Sequence, residues 1–255
     1  MKTRLTFLGT GTSQGVPVIS CPCKVCNSSD PRDNRLRSSV MFTVDGKNII
    51  IDSGPDFRQQ MIREKVKSIE GVVFTHEHKD HLAGLDDVRA FNFILKREID
   101  IYSTERVEEA IRREYRYIFD NSDYPGIPRL KMHRISSEKF NVSGIEITPI
   151  EVLHYKLPVL GFRIGDITYI TDANHIPDTE KEKIQGSKIL VLNALRKEEH
   201  VSHFTLDQAV EMVKELKPER AFFIHMSHQI GLHADLEKEL PENIRLAHDG
   251  LVVEA

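Results

Sequence analysis

The chain has 255 residues, of which 40% are hydrophobic and 29% are charged, and its formal net charge at pH 7 is −4. These values exclude disordered and fibrous proteins, and the length suffices for one large core, so we expect residues 1–255 to form a single domain. No run reaches the roughly 18 apolar residues of a membrane span, and no basic stripe favours long nucleic acid as a partner, so we expect a cytoplasmic protein without membrane contact that acts on a small substrate.

The first half of the chain alternates β-rich runs with helical segments. Strands are predicted at residues 5–8, 40–44, 48–51, 71–75 and 99–102. The Asp45-Gly46 pair between the second and third of these runs predicts a β-hairpin. Helices are predicted at residues 57–65 and 105–119.

The second half repeats this organisation. Strands are predicted at residues 145–150, 161–164, 167–170 and 221–224, with the last of them closing the set. Gly165-Asp166 is typical of a hairpin turn, and Thr205 with Gln208 has the spacing of a capping box that begins a helix ending at Leu216. Two groups of strands, each followed by helices, predict two sheets packed face to face with helices outside, a layered α/β architecture.

The densest group of metal-binding side chains follows the predicted strand at residues 71–75. Residues 75–81 read Thr-His-Glu-His-Lys-Asp-His, which puts four potential ligands within six positions. Alternation along an extended segment directs His76 and His78 to the same side, while Asp80 and His81 can turn to a second ion. A polar loop facing solvent is the alternative interpretation, but a strand-end loop rarely carries this many ligands without a metal.

All three cysteines, Cys21, Cys23 and Cys26, lie within six positions. An odd number at such close spacing is a poor basis for disulfides and favours metal ligation, although a closed structural zinc site needs a fourth ligand. Three free or buried thiols are the alternative.

The H-x-H-x-D-H run resembles the signature of the metallo-β-lactamase superfamily. The opening run at residues 7–13 (FLGTGTS) and the strand end at residues 51–56 (IDSGPD) resemble the phosphodiesterase branch of that superfamily. Within this branch the resemblance is closest to the PhnP phosphoribosyl cyclic phosphodiesterases, with transfer-RNA 3′-processing endonucleases as more distant relatives. The resemblance implies a four-layer αββα sandwich and a metal-dependent phosphodiesterase activity.

The resemblance also implies a ligand set for two divalent metal ions. The family pattern has a histidine after a strand, then an aspartate shared by both ions, then a histidine after the last core strand, and His154, Asp172 and His225 match these positions. Mixed imidazole and carboxylate ligands accept zinc, manganese or iron, and we expect zinc or manganese. The implied first site is His76, His78 and His154; the second is Asp80, His81 and His225; Asp172 bridges the two.

Three further roles follow from the resemblance. His228 would complete a structural zinc site with the three cysteines. Asp80 and Asp172 would orient a water molecule activated by the two metal ions. His203 would give a proton to the leaving group, for which an unperturbed pKa near 6.5 is suitable, and we prefer it to His200. Residues 37–39 could touch substrate phosphate but are interpreted as surface.

We therefore expect hydrolysis of a small cyclic or nucleotide-like phosphodiester. One alternative is a nuclease acting on RNA or DNA ends, which would need a cationic groove or a substrate-gripping arm. Another is a metal-stabilised interaction protein without catalysis. A thioester or lactam hydrolase is disfavoured by Asp80 and the Gly-Thr-Gly run. A homodimer is the default oligomeric expectation.

Overall fold

The computed structural model describes residues 2–120 and 124–255, which contain fourteen strands and eight α-helices. The strands are β1 (Thr3–Gly9), β2 (Ser39–Val44), β3 (Lys47–Ile51), β4 (Gly71–Val73), β5 (Ile99–Ser103), β6 (Leu130–Arg134), β7 (Phe140–Val142), β8 (Ile145–His154), β9 (Leu157–Ile164), β10 (Ile167–Tyr169), β11 (Ile189–Asn193), β12 (Arg220–Ile224), β13 (Ile244–Leu246) and β14 (Val252–Glu254). The helices are α1 (Phe57–Arg63), α2 (Lys79–Leu82), α3 (Arg89–Leu95), α4 (Glu105–Glu114), α5 (Arg116–Phe119), α6 (Asp178–Ile184), α7 (Leu206–Leu216) and α8 (His233–Leu236).

The strands form two mixed sheets of seven strands each. The strand order is β14-β1-β2-β3-β4-β5-β6 in the first sheet and β13-β12-β11-β10-β9-β8-β7 in the second. Both predicted hairpins are present as antiparallel pairs, β2 with β3 and β9 with β10. In the first of these, Asp45 and Gly46 have φ values of 50° and 78°, as a two-residue turn with the right-handed twist of its strands requires.

The two sheets and the helices outside them form four layers, and an apolar cluster lies between each pair of adjacent layers. The inner faces of the two sheets enclose a central core that includes Phe42, Phe162 and Phe222. A second cluster lies under α1, α3 and α4 on the outside of the first sheet, and a third lies under α6 and α7 on the outside of the second. Ile49 and Ile51 belong to the central core while Ile50 faces the helices, which explains why this strand is apolar at successive positions. The predicted layered α/β architecture is thereby confirmed as a four-layer sandwich.

Two secondary-structure predictions were wrong. The helix predicted at residues 105–119 is interrupted at Tyr115, whose hydroxyl donates a hydrogen bond to the carbonyl of Leu82 at 2.9 Å, a tertiary contact that local periodicity does not encode. The strand at residues 220–224 does not close the set, because β13 extends the second sheet and β14 pairs with β1 at the edge of the first. These two strands have only three residues each, too few to show a period.

The capping box at the start of α7 is confirmed, with both reciprocal hydrogen bonds between Thr205 and Gln208 present. The loop at residues 120–130 has no sequence pattern that predicts its shape, although we expect it to help form the substrate pocket, and its residues 121–123 lie outside the described residues. No helix in the described part of the chain is long and apolar enough to span a membrane.

Candidate metal centre

One edge of the sandwich collects the candidate ligands. Strands β3, β4 and β5 are parallel in the first sheet, and β10, β11 and β12 are parallel in the second. The carboxyl ends of parallel strands meet at the same edge of a sheet, where binding sites commonly form. The histidine run follows β4, His154 ends β8, Asp172 follows β10, and His225 follows β12. The topology therefore brings His76 and His225, which are 149 positions apart in the sequence, to the same edge.

The ligand atoms form two adjacent groups. Within each group these atoms lie within 4.8 Å of one another; the groups are His76, His78 and His154, and Asp80, His81, Asp172 and His225. The two groups touch, because the ring centroids of His76 and His81 are 4.3 Å apart. Asp172 lies between the others, with its two carboxylate oxygens 3.2 Å from Nε2 of His81 and 3.3 Å from Nε2 of His225. The structure thus brings together all seven residues that the sequence analysis named.

Partners behind the histidines hold their Nδ1 atoms away from the centre. Nδ1 of His76 lies 2.9 Å from Thr75 Oγ1, and Nδ1 of His81 lies 2.7 Å from Asp52 Oδ2. Nδ1 of His154 lies 2.8 Å from the Ser202 carbonyl oxygen, and Nδ1 of His225 lies 3.3 Å from Ser38 Oγ. Such outer hydrogen bonds set the tautomer and orientation of metal-binding imidazoles. They direct Nε2 of each ring toward the shared space.

Two of these inward atoms form no hydrogen bond within the described residues. Nε2 of His76 and Nε2 of His81 are both buried, and the carboxylate oxygens of Asp80 and Asp172 that lie 3.2 Å from Nε2 of His81 are not in hydrogen-bond geometry with it. A buried polar atom without a partner costs about 1–3 kcal/mol, so folded proteins rarely leave one. Two such atoms directed into a cluster of carboxylates are suited to coordinate divalent cations.

The electrostatics of the cluster agree with this fit. Burial lowers the pKa of His76 well below its ordinary value, which leaves the ring neutral and able to coordinate. Burial alone would also lower the pKa of His81, but Asp80, Asp172 and Asp52 together hold that pKa well above its ordinary value. The carboxylates therefore favour positive charge at the centre, and a bound metal ion would supply that charge in place of the proton on His81.

Three residues at the centre have left-handed backbone conformations. The φ values are 65° for Asp52, 55° for Asp172 and 55° for His225. For residues with a Cβ atom this region costs on the order of 1–2 kcal/mol, and such strain concentrates at functional sites. Each of these residues follows a strand, so the turn in the backbone directs the side chain sideways into the centre.

Asp52 was missed as a functional residue, because the sequence analysis quoted it only within the run at residues 51–56. It is fully buried, and its carboxylate accepts hydrogen bonds from the Thr75 backbone N–H and hydroxyl, each at 2.8 Å, besides the contact with His81. A carboxylate directly after an apolar strand, adjacent to the strand that bears the histidines, was the available signal. Its place behind His81 makes it a positioning residue.

Replacing Asp52 by asparagine is expected to lower kcat/KM and metal affinity by roughly 10- to 100-fold, since loss of this charge weakens the hold on His81. The measurement is kcat/KM with competition for metal against a chelating dye. Asp45→Asn, in the exposed β2–β3 turn, is the matched control and should change neither. Equal values for Asp52→Asn and the parent chain would remove Asp52 from this role.

The interpretation of residues 37–39 as surface was wrong for both serines, which are buried. Ser38 donates to the Gly11 carbonyl at 3.0 Å and contacts Nδ1 of His225, while Ser39 bridges the carbonyls of Ile51 and Asp52. Arg37 forms an ion pair with Asp56 at 3.0 Å. The serines therefore support the centre from behind.

His203 lies against the metal centre. Its Nδ1 is 3.8 Å from Asp172 Oδ1, and its ring stacks on that of His225 at 4.9 Å. Its ligand atom also groups with those of His154 and Asp172 within 4.8 Å. Burial lowers the pKa of His203 to about 3, so the assumption of an unperturbed pKa was wrong. A proton on this ring must accompany the negative charge of a bound substrate.

The cysteines meet His228 in a separate cluster. Nδ1 of His228 lies 3.2 Å from Sγ of Cys21 and 3.3 Å from Sγ of Cys23, and the four ligand atoms, including that of Cys26, lie within 4.8 Å of one another. A hydrogen bond from the Cys26 backbone N–H, followed by one from His228, lowers the pKa of Cys23 to about 6. Four such ligands match the composition of a closed zinc site.

The cysteine cluster adjoins the segment that carries His225. Met226 exchanges backbone hydrogen bonds with the N-terminal loop, accepting from Thr12 at 3.1 Å and donating to Thr10 at 3.0 Å. An ion held by the cysteines and His228 would connect the same two segments a second time. Its expected contribution is stability and order next to the centre.

Cys23→Ser is expected to remove one equivalent of zinc and lower Tm by roughly 5–10 °C, while kcat/KM changes less than about tenfold. Calorimetry and elemental analysis of the same sample measure both quantities. Lys24→Ala, at the exposed position between the cysteines, should leave zinc content and Tm unchanged. An unaltered zinc content in Cys23→Ser would contradict a structural zinc at this site.

Comparison with known proteins was made at the level of family, sequence and structure. A model of the beta-lactamase superfamily domain matches residues 47–226. The chain is similar to an octanoyltransferase of Porphyromonas gingivalis (strain ATCC BAA-308 / W83), with 38% identity over 251 residues that cover 97% of this chain and 51% of that protein. This chain therefore spans about half the length of that relative.

One solved structure and a second relative each match most or all of the chain. The crystal structure of a new diphosphatase from the PhnP family has a TM-score of 0.94 and 42% sequence identity, covering 100% of this chain and 98% of that one. Ribonuclease Z of Borreliella burgdorferi (strain ZS7) is 24% identical over 303 residues, covering 88% of this chain and 93% of that protein.

Proposed function

This chain belongs to the beta-lactamase superfamily, as a metal-dependent hydrolase close to the PhnP family, and on that premise we propose that it cleaves a small cyclic or nucleotide-like phosphodiester at a centre of two divalent metal ions. The observation that carries the proposal is the pair of adjacent ligand groups with Asp172 between His81 and His225. We assign His76, His78 and His154 to one ion, Asp80, His81 and His225 to the other, and Asp172 to both. Zinc or manganese suits these donors.

The residues of the centre then have distinct roles. Two divalent ions held there would supply an activated water at neutral pH and would stabilise charge on the phosphoryl oxygens. The carboxylates of Asp80 and Asp172 would accept hydrogen bonds from the water and orient it toward phosphorus. Nδ1 of His203 faces Asp172, which leaves Nε2 as the atom that would donate a proton to the leaving oxygen.

The cleft beside the metal centre supports a small substrate. It has a volume of about 510 Å³ and is bounded by His78 and His154 on the side of the ligands. That volume lies within the range of about 300–1,000 Å³ that suits small-molecule ligands. Thiolate ligands at the cysteine cluster favour a reducing compartment, so we propose a cytoplasmic location.

An RNA-end nuclease is the second candidate, because of the similarity to ribonuclease Z. Backbone recognition of RNA requires several cations along the strand. Among the described residues that line the cleft, two are cationic, Arg106 and Lys156, and Arg106 already forms an ion pair with Glu77 at 2.5 Å. The name of the Porphyromonas gingivalis relative refers to a protein of which this chain spans about half, so we do not extend acyl transfer to this chain.

A substrate panel separates these activities. We would assay the zinc- and manganese-loaded protein on bis(p-nitrophenyl) phosphate, a 2′,3′-cyclic nucleotide, a cyclic ribose phosphate, a short RNA with a 3′ extension, and an acyl thioester. The proposal expects turnover of the small diesters at rates well above that of the RNA. Activity on the thioester alone would reject it.

A further inference from the structure

The two-residue turn between β8 and β9 projects from the metal centre itself. Tyr155 and Lys156 directly follow the candidate ligand His154, and the strand register pairs His154 with Leu157. Tyr155 has φ of 58°, and its backbone N–H donates to Asn174 Oδ1 at 2.6 Å. A left-handed turn position favours glycine or asparagine, so a tyrosine there is strained.

The protein itself leaves these two side chains largely uncovered. Tyr155 is 52% exposed and lines the 510 Å³ cleft together with Leu157 and Val201, the latter 63% exposed. Nζ of Lys156 lies 5.3 Å from the centroid of the Tyr155 ring, and within the described residues it pairs with no carboxylate. An aromatic ring, two aliphatic side chains and an unpaired cation thus converge beside the candidate metal ligands.

We propose that this turn is a ring-binding subsite, in which Tyr155, Leu157 and Val201 hold the nucleoside of a nucleotide-type diester while its phosphate lies at the metal centre. Aromatic side chains bind nucleobases by stacking because every base offers a π face, and the aliphatic walls exclude water from the contact. Lys156 adds positive charge at the rim for an anionic substrate. The inference rests on the proposed phosphodiesterase function and names the substrate class of that same site.

Two substrates with one leaving group isolate the contribution of the ring. Thymidine 5′-(p-nitrophenyl phosphate) and ethyl p-nitrophenyl phosphate both release p-nitrophenolate and differ only in the ester group that is retained. We expect the parent protein to prefer the thymidine ester by at least about tenfold in kcat/KM, mainly through KM. In Tyr155→Gly the preference should fall to less than about threefold, while Tm stays level or rises because the strained backbone is relieved.

Tyr155→Asn, which also tolerates the left-handed turn, serves as the second variant if the glycine variant folds poorly. Phe93→Leu, at an exposed aromatic outside the cleft, is the control and should keep both the preference and Tm. A parent protein with no preference, or a preference that survives in both Tyr155 variants, would overturn the subsite. Failure of the loaded parent protein to hydrolyse either ester would instead overturn the proposed function.

Discussion

Asp172→Asn is expected to lower kcat/KM for small phosphodiesters by at least about 10³-fold. Asp172 is buried, lies between the Nε2 atoms of His81 and His225, and accepts a hydrogen bond from the Thr171 hydroxyl at 2.6 Å. His225 and His81 hold the pKa of this carboxyl well below its ordinary value despite burial, so Asp172 is a full negative charge where the two ligand groups meet. An amide preserves the shape of the side chain but removes the charge that would hold two cations together.

The measurement is steady-state kinetics on bis(p-nitrophenyl) phosphate with elemental analysis of the same sample. Asp166→Asn is the matched control, since Asp166 lies in the exposed β9–β10 turn and pairs only with Lys188 among the ion pairs of the described residues. The control should retain both metal and turnover. Retention of more than about a tenth of the parent kcat/KM by Asp172→Asn would show that a shared carboxylate is not required.

Removal of metal is expected to abolish turnover reversibly. Dialysis against a strong chelator should reduce activity below about 1% of the starting value, because the activated water and the stabilisation of phosphoryl charge would both come from the bound ions. Adding zinc or manganese should restore activity. Tm should also rise with metal concentration, because each site adds about 2.7 kcal/mol to the free energy of unfolding when free metal is present at 100 times Kd.

Cys23→Ser serves as the control for the chelation experiment. If the cysteine cluster and the His/Asp centre bind independently, this variant should also regain most of its activity when metal is added back. Full turnover by parent protein that holds less than about 0.1 metal ion per chain would contradict metal-dependent catalysis.

The architecture could be predicted from the sequence because the strong signals were local. Runs rich in β-branched and other apolar residues located most of the longer strands, although the fully buried β11 was not predicted, and turn pairs such as Asp45-Gly46 located both hairpins. Short or edge strands gave no such signal. Residues 130–134 are only partly buried, and β13 and β14 have three residues each, so tertiary pairing rather than local pattern forms them.

The candidate ligands could be named from the run at residues 75–81 and from family resemblance, but their geometry could not. The left-handed backbone at Asp52, Asp172 and His225 is imposed by the surrounding fold, since none of these residue types requires it. Asp52 lies 29 positions before His81, and nothing local connects the two. The low pKa of His203 likewise follows from burial, which outweighs the opposing charge of Asp172, and only the folded chain reveals it.

The most direct test of two metal ions at this centre is a crystal structure of the manganese-loaded protein with anomalous difference maps on both sides of the manganese edge. We predict two peaks, one among His76, His78 and His154 and one among Asp80, His81 and His225, both within bonding distance of Asp172. A fully loaded crystal with one peak or none in this region would contradict the account.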